Sequence, residues 1–161
     1  MICDAILDER GTYRYQLTRQ WDTLAPRRCC FIMLNPSTAD AKVDDPTIRR
    51  CIRFAKDWGF GAMVVVNLFA YRSTDPAALR LVADPVGPGN DFYIAHAIDH
   101  TEVVVAAWGN GGMIFGRDKV VIERFGAKMQ CFGRTAAGHP KHPLYVPAAA
   151  NLEPLLMGGN R

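Results

Sequence analysis

The sequence is poor in the features that announce most chemistries. Its 161 residues hold no apolar run approaching membrane-spanning length, so no membrane partner is expected. The five cysteines (Cys3, Cys29, Cys30, Cys51 and Cys131) are odd in number and nowhere spaced CxxC. The local ligand pairs of a zinc or iron–sulfur site are therefore missing, and buried reduced thiols are expected. There is no GxSxG elbow, no HExxH and no HxE followed by PCxxC, which removes the signatures of a serine hydrolase, a zinc protease and a zinc deaminase. The glycine-rich turn after Trp108 has neither GxGxxG nor a P-loop lysine, so no cofactor is expected. Net charge is also small. A formal net charge of +3 permits a polyanionic partner without demanding one. The amino-terminal MICDAILDERG carries acids where a secretory signal needs a basic region before an apolar one, which predicts a cytoplasmic protein.

What is present is a core and a pattern. An apolar fraction of 49% suits one domain over residues 1–161, since a chain of this size buries roughly two-thirds of its unfolded surface. Three apolar runs each end on or beside an asparagine: CCFIML at Asn35, MVVV at Asn67 and EVVVAAWG at Asn110. Runs of this length, apolar on both faces, read as buried parallel strands. Weak alternation from Thr12 to Trp21, with Tyr13, Tyr15 and Leu17 against Arg14, Gln16 and Thr18, predicts an edge strand or hairpin before them.

Helical signals separate the runs. Asp45-Pro46 supplies an N-cap and a first-turn proline, Ile48, Cys51, Ile52, Ala55 and Trp58 keep helical spacing, and Gly59 follows. Asn90 or Asp91 caps a helix to about His100, and Arg117 to Phe125 makes another that ends at Gly126. A fourth strand is expected at Lys128 to Phe132, and a short helix at Ala77 to Val82. The alternation predicts an α/β domain of three layers, α/β/α, around a four-stranded parallel sheet. In such sheets ligands bind at the carboxyl ends of the strands, where the three asparagines would gather.

Amides suit recognition of an uncharged, hydrogen-bonding ligand better than acid and base chemistry. The loop Leu34-Asn35-Pro36-Ser37-Thr38 adds hydroxyls to this edge. Later in the chain, Gly138-His139-Pro140-Lys141-His142-Pro143 places two histidines and a lysine in a proline-braced loop. A neutral histidine there can donate to a departing anion. Asp44 and Asp45, with Asp40, offer a metal-dependent phosphohydrolase as an alternative, although helix capping explains at least one of them. Arg49, Arg50, Arg53 and Lys56 read as a solvated helix face, with phosphate contact as the alternative, and His96 and His100 read as surface residues.

Two resemblances add to this. The segments FIMLNPSTAD, DDPTIRRCIRFAKDWG, VVNLFAYRSTDP, DPVGPGND, AWGNGG and GHPKHPLY resemble an uncharacterised bacterial family of domains of unknown function, over nearly the whole chain. More distantly, the order of motifs is similar to that of the uracil-DNA glycosylase superfamily. Leu34-Asn35-Pro36 resembles its INPG motif, whose asparagine positions the attacking water. Val65-Val66-Asn67 is similar to the strand end whose asparagine reads the uracil edge, and Val104 to Gly109 to the third strand with its closing glycine. His142-Pro143-Leu144 resembles the HPS motif, which stabilises the departing base. Ser37 stands where INPG has glycine, and Leu144 where HPS has serine.

The resemblance implies a glycosylase-like fold and hydrolysis of the bond between deoxyribose and a modified base. Asn35 and His142 would be catalytic. Asn67, Pro36, Ser37, Thr38, Tyr71, Trp108, Gly109 and Lys141 would contact the substrate, with DNA as partner and no metal. A free nucleoside or nucleotide is the alternative substrate, and a non-catalytic nucleic-acid-binding module the alternative function.

Overall fold

The apolar runs form strands and the 3.6-residue patterns form helices. A computed structural model describes residues 1–37 and 41–156. Its elements run β1 (Ile2–Leu7), β2 (Arg14–Gln20), β3 (Arg28–Met33), α1 (Pro46–Asp57), β4 (Ala62–Asn67), α2 (Asn90–Asp99), β5 (Val103–Ala106), α3 (Arg117–Phe125), β6 (Met129–Cys131) and β7 (Glu153–Pro154). The stretch expected as a short helix after Ser73 is a 3-10 turn, Pro76–Arg80. Among the described residues no helix is long and apolar enough to cross a membrane.

The sheet corrects one expectation. It is mixed and has seven strands in the order β1-β2-β4-β3-β5-β6-β7, not four parallel ones. Strands β4, β3, β5 and β6 run parallel at its centre. The β1–β2 hairpin then adds antiparallel to β4, and β7 adds antiparallel to β6. The extra strands cover edges that a four-strand sheet would leave with unpaired backbone groups. Because β1 takes the outer position, β2 is internal. Its alternation therefore does not mark a solvent face, and Arg14 and Arg19 are buried.

Strand β3 serves both cores, as a run apolar on both faces requires. Cys30 and Ile32 join one cluster with residues of α2 and α3, while Cys29, Phe31 and Met33 join the other with residues of α1. Helix α1 begins where the sequence predicts: the Asp45 carboxylate accepts from Ile48 N at 2.8 Å, a cap that contributes about 1 kcal/mol. It ends in a Schellman arrangement, with Phe60 N donating to Ala55 O and Gly59 N to Lys56 O, both at 3.0 Å. Gly59 takes φ +84°, a conformation that only glycine adopts without strain.

The arginines of α1 are largely occupied within the fold. Arg53 pairs with Asp57 at 3.2 Å, Arg49 donates to Asp44 O at 2.6 Å, and Arg50 donates to Val146 O while lying over the Phe54 ring. The thiols behave as expected from burial. Cys29 is pushed up to about 12, and Cys30, Cys51 and Cys131 are raised as well, because burial penalises the thiolate.

Candidate functional site

Strand β4 carries its polar terminus to the carboxyl end of the sheet. Its side chains alternate, so Met63, Val65 and Asn67 form one row on the face that α1 covers. The row is apolar until its last member. Asn67 is 3% exposed, and its side-chain amide has no hydrogen-bond partner among the described residues. It lines a cavity of about 350 Å³ that also takes in Met33, Val65, Ile48 and Trp108, a size at the small end of ligand pockets.

The loop after β3 closes beside it. Leu68 N donates to Met33 O at 2.9 Å and Phe69 N to Leu34 O at 3.0 Å, so the chains leaving β3 and β4 travel together past the strand ends. Asn35 Nδ2 then donates to Pro36 O at 3.1 Å and to Ser73 O at 2.9 Å, while Ser73 N donates to Pro36 O at 3.0 Å. Both amide hydrogens of Asn35 thus brace the loop. Its Oδ1 carries no hydrogen bond among the described residues, which leaves one acceptor on the cavity lining. Ser37 Oγ, also on the lining, is buried and similarly open.

His142 closes the opposite side. It caps the 3-10 turn Pro143–Tyr145, where its Nδ1 accepts from Leu144 N at 3.2 Å. An accepting Nδ1 fixes the tautomer with the proton on Nε2, so the ring presents one donor. Burial lowers its pKa from 6.5, with Asp45 opposing the shift, and the ring is neutral at pH 7. The cavity therefore combines an open amide (Asn67), an open acceptor (Asn35 Oδ1), a hydroxyl (Ser37) and a neutral imidazole donor (His142). Trp108 also lines it, and the buried Nε1–H of its indole has no partner among the described residues.

Of the residues expected at the site, Asn35, Pro36, Ser37, Asn67, Trp108 and His142 line this one cavity. Thr38, like Asp40, lies outside the described residues. Tyr71 does not line it: its backbone bridges to Tyr13, and its ring meets Tyr13 edge-on at 6.4 Å, because the chain turns back toward β2. Gly109 and Lys141 do not line it either, and lie on an adjoining cavity with Asn110. Asp44 is paired with Arg19, whose Nε donates to it at 2.7 Å, while Asp45 both caps α1 and lines the cavity. Among the described residues no group of three or more His, Cys, Asp or Glu side chains is placed to hold a metal ion.

Several participants escaped sequence reasoning. Arg14 lines the cavity from β2, and burial together with Arg72 lowers its pKa to about 10, against the opposing effect of Asp45. Asn90 was expected to cap α2, yet Gly89 holds the cap position. Asn90 is fully buried and donates through Nδ2 to Asn67 O at 2.9 Å and Leu68 O at 3.0 Å. Arg117 adds a third donor, Nε to Leu68 O at 2.8 Å, and is itself held by Asp91 at 2.6 Å. These contacts fix the peptide that presents the Asn67 amide. Only the asparagine and arginine at two helix starts hint at them in the sequence.

A search of curated proteins and one of solved structures each found no match. The model of one family does match, over residues 14–144, a span that holds every described residue of the main cavity; the chain belongs to the family described as protein of unknown function, DUF1643.

Proposed function

We propose that the protein is a metal-independent N-glycosidase that releases a modified or damaged base, of pyrimidine type, from DNA. The observation that carries this reading is the Asn67 amide, buried without a partner on a cavity shared with Asn35 Oδ1 and the neutral His142 ring. An amide left open on a cavity wall offers hydrogen bonds that a ligand can complete. A ligand with a paired donor and acceptor edge, such as a pyrimidine, satisfies it.

The chemistry fits the remaining groups. Asn35 Oδ1 accepts from a water and aims its oxygen at C1′ of the sugar. As the C1′–N bond breaks, its electron pair leaves with the base, and His142 Nε2–H stabilises the developing anion. The water supplies the hydroxyl at C1′, and its released proton neutralises the base. Neither step requires a strong general base. The parallel centre β4-β3-β5-β6, with Asn35 after its second strand, Asn67 ending its first and His142 arriving after its last, supports a glycosylase-like arrangement. Extruding the base from a duplex costs a few kcal/mol, which contacts to the strand must offset.

The test uses duplex oligonucleotides carrying uracil, hydroxymethyluracil or a thymine mismatch, incubated with protein and cleaved with alkali at abasic sites. Cleavage by the wild type that falls about 100-fold in Asn35→Ala is the expected result. The reading fails if no substrate is cleaved, or if wild type and Asn35→Ala behave alike. Release of base from a free nucleoside but not from DNA selects the small-molecule alternative.

A further inference from the structure

A second cavity, about 260 Å³, adjoins the first, and His142 lines both. Its other walls are Gly109, Asn110, Thr135, Lys141 and Tyr145. They form one frame: Gly109 N donates to Pro140 O at 2.9 Å, Lys141 N to Gly133 O at 3.1 Å and Thr135 N to His139 O at 2.7 Å. Thr135 Oγ1 donates to Asn110 Oδ1 at 2.6 Å and accepts from His139 N at 3.2 Å.

Those two bonds decide the chemistry of the wall. The carbonyl oxygen of Asn110 and the hydroxyl of Thr135 are engaged with one another, so Asn110 offers its two N–H groups, which have no acceptor among the described residues. Lys141 is half-buried, and its ammonium has no carboxylate partner among the described residues. Tyr145 adds a hydroxyl that donates or accepts, so a cation and amide donors dominate the open side-chain groups of this cavity. A cation beside amide donors favours a ligand that accepts and carries negative charge. Beside it the Tyr145 ring, 82% exposed, lies 5.6 Å from the His142 ring.

We propose that this second cavity is a phosphate subsite, in which Lys141 and Asn110 hold the phosphate ester of the nucleotide whose base occupies the first cavity. His142 lines both spaces, so a sugar would pass beside its ring, and Tyr145 offers that sugar an apolar surface. The identity of the neighbouring base rests on the function proposed above; the cationic, donor-rich character of the subsite does not. The consequence is a preference for nucleotides, free or in a strand, over bases and nucleosides.

The test compares binding of deoxyuridine, its 3′- and 5′-monophosphates and a short single-stranded oligonucleotide containing deoxyuridine, by calorimetry at low and high salt. Wild type should bind at least one phosphorylated form roughly tenfold more tightly than the nucleoside, and Lys141→Met should lose that increment. Asn110→Asp, which sets a carboxylate against the phosphate, should lose it as well, with an unchanged circular dichroism spectrum and melting temperature showing that both variants fold. A gain seen with the oligonucleotide alone identifies a strand as the source, and a gain with a monophosphate identifies a free nucleotide. Equal affinity for nucleoside and every phosphorylated form, or a full increment retained in both variants, overturns the proposal. If Lys141→Met removes the increment while Asn67→Ala leaves nucleoside affinity intact, the phosphate subsite stands and the base reading falls.

Discussion

The two ends of the sheet's parallel centre both carry cavities, and they differ in what their polar groups are doing. At the amino ends of β3 and β5, Pro26, Arg27, Arg28, Asp99, His100, Thr101 and Glu102 surround about 480 Å³, more than the main cavity at the carboxyl ends encloses. All of its charged side chains but Arg28 are paired among the described residues. Arg27 makes a two-pronged pair with Glu102, at 2.8 Å for its shortest contact, and Asp99 takes Lys128 at 3.4 Å. At the carboxyl ends the Asn67 amide, Asn35 Oδ1 and Ser37 Oγ have no partner among the described residues. Volume alone does not make a binding site. Open hydrogen-bonding capacity gathered on one cavity wall points to one, because a ligand can complete it.

The contrast can be broken most severely beside the site, at Asp44. Arg19 is fully buried and Asp44 is 28% exposed, so Asp44→Ala leaves an uncompensated interior charge and should cost about 3–5 kcal/mol in urea unfolding. A cost near zero would mean that the carboxyl end tolerates open charge as readily as open amides. Next, His142→Ala should slow base release about 10²- to 10³-fold in single-turnover assays, the effect of removing one donor to a developing anion. Retained activity would leave the neutral imidazole with a capping role alone.

Smaller effects sharpen the comparison. A Cβ on Gly112 would lie 2.3 Å from Trp108 Cδ1 and 3.0 Å from Leu68 Cδ1, so Gly112→Ala should push the indole into the cavity at a cost of roughly 1–3 kcal/mol. Altered tryptophan fluorescence with weakened ligand binding is the expected signature.

The pH profile gives a further check. Burial holds the His142 pKa below 6.5, so activity should stay level down to about pH 6.5 and decline only as the pH falls through the lowered value. Stability carries the same sign. Between the lowered value and 6.5 the unfolded chain binds more protons, so the contribution is complete above 6.5 and lost on acidification. A decline that begins above pH 7 would contradict the neutral ring. Smallest of all, Arg27→Ala at the amino end should leave activity and ligand binding unchanged, since an exposed pair in water contributes little.

Much of the scaffold was legible because short-range rules govern it. The cap at Asp45, the stop at Gly59 and the helix Arg117–Phe125 follow from side-chain chemistry within one turn. The buried strands β3 and β4 follow from apolar runs that only a doubly covered position explains. The outer strands were harder. Ile2–Leu7 is mostly partly exposed and mixed in polarity, and Glu153–Pro154 spans two residues, so neither carries a period. Their positions come from hydrogen bonds to strands remote in sequence. At the site, Asn35, Asn67 and His142 were visible as polar residues closing apolar or proline-braced segments. Asn90 was not, because a buried asparagine donating to two carbonyls looks, in sequence, like one capping a helix.

The sequence by itself determined that the chain folds as an α/β domain and that amides gather at the carboxyl edge of its sheet, since period and punctuation are local properties. Only the tertiary structure decided which polar groups stay open. Asn35 and Asn110 are the same residue type, yet one keeps an oxygen and the other its N–H groups, because Ser73 and Thr135 reach them from 38 and 25 residues away. Hydrogen-bond capacity is fixed by side-chain chemistry, but its engagement depends on neighbours that folding alone brings within 3 Å.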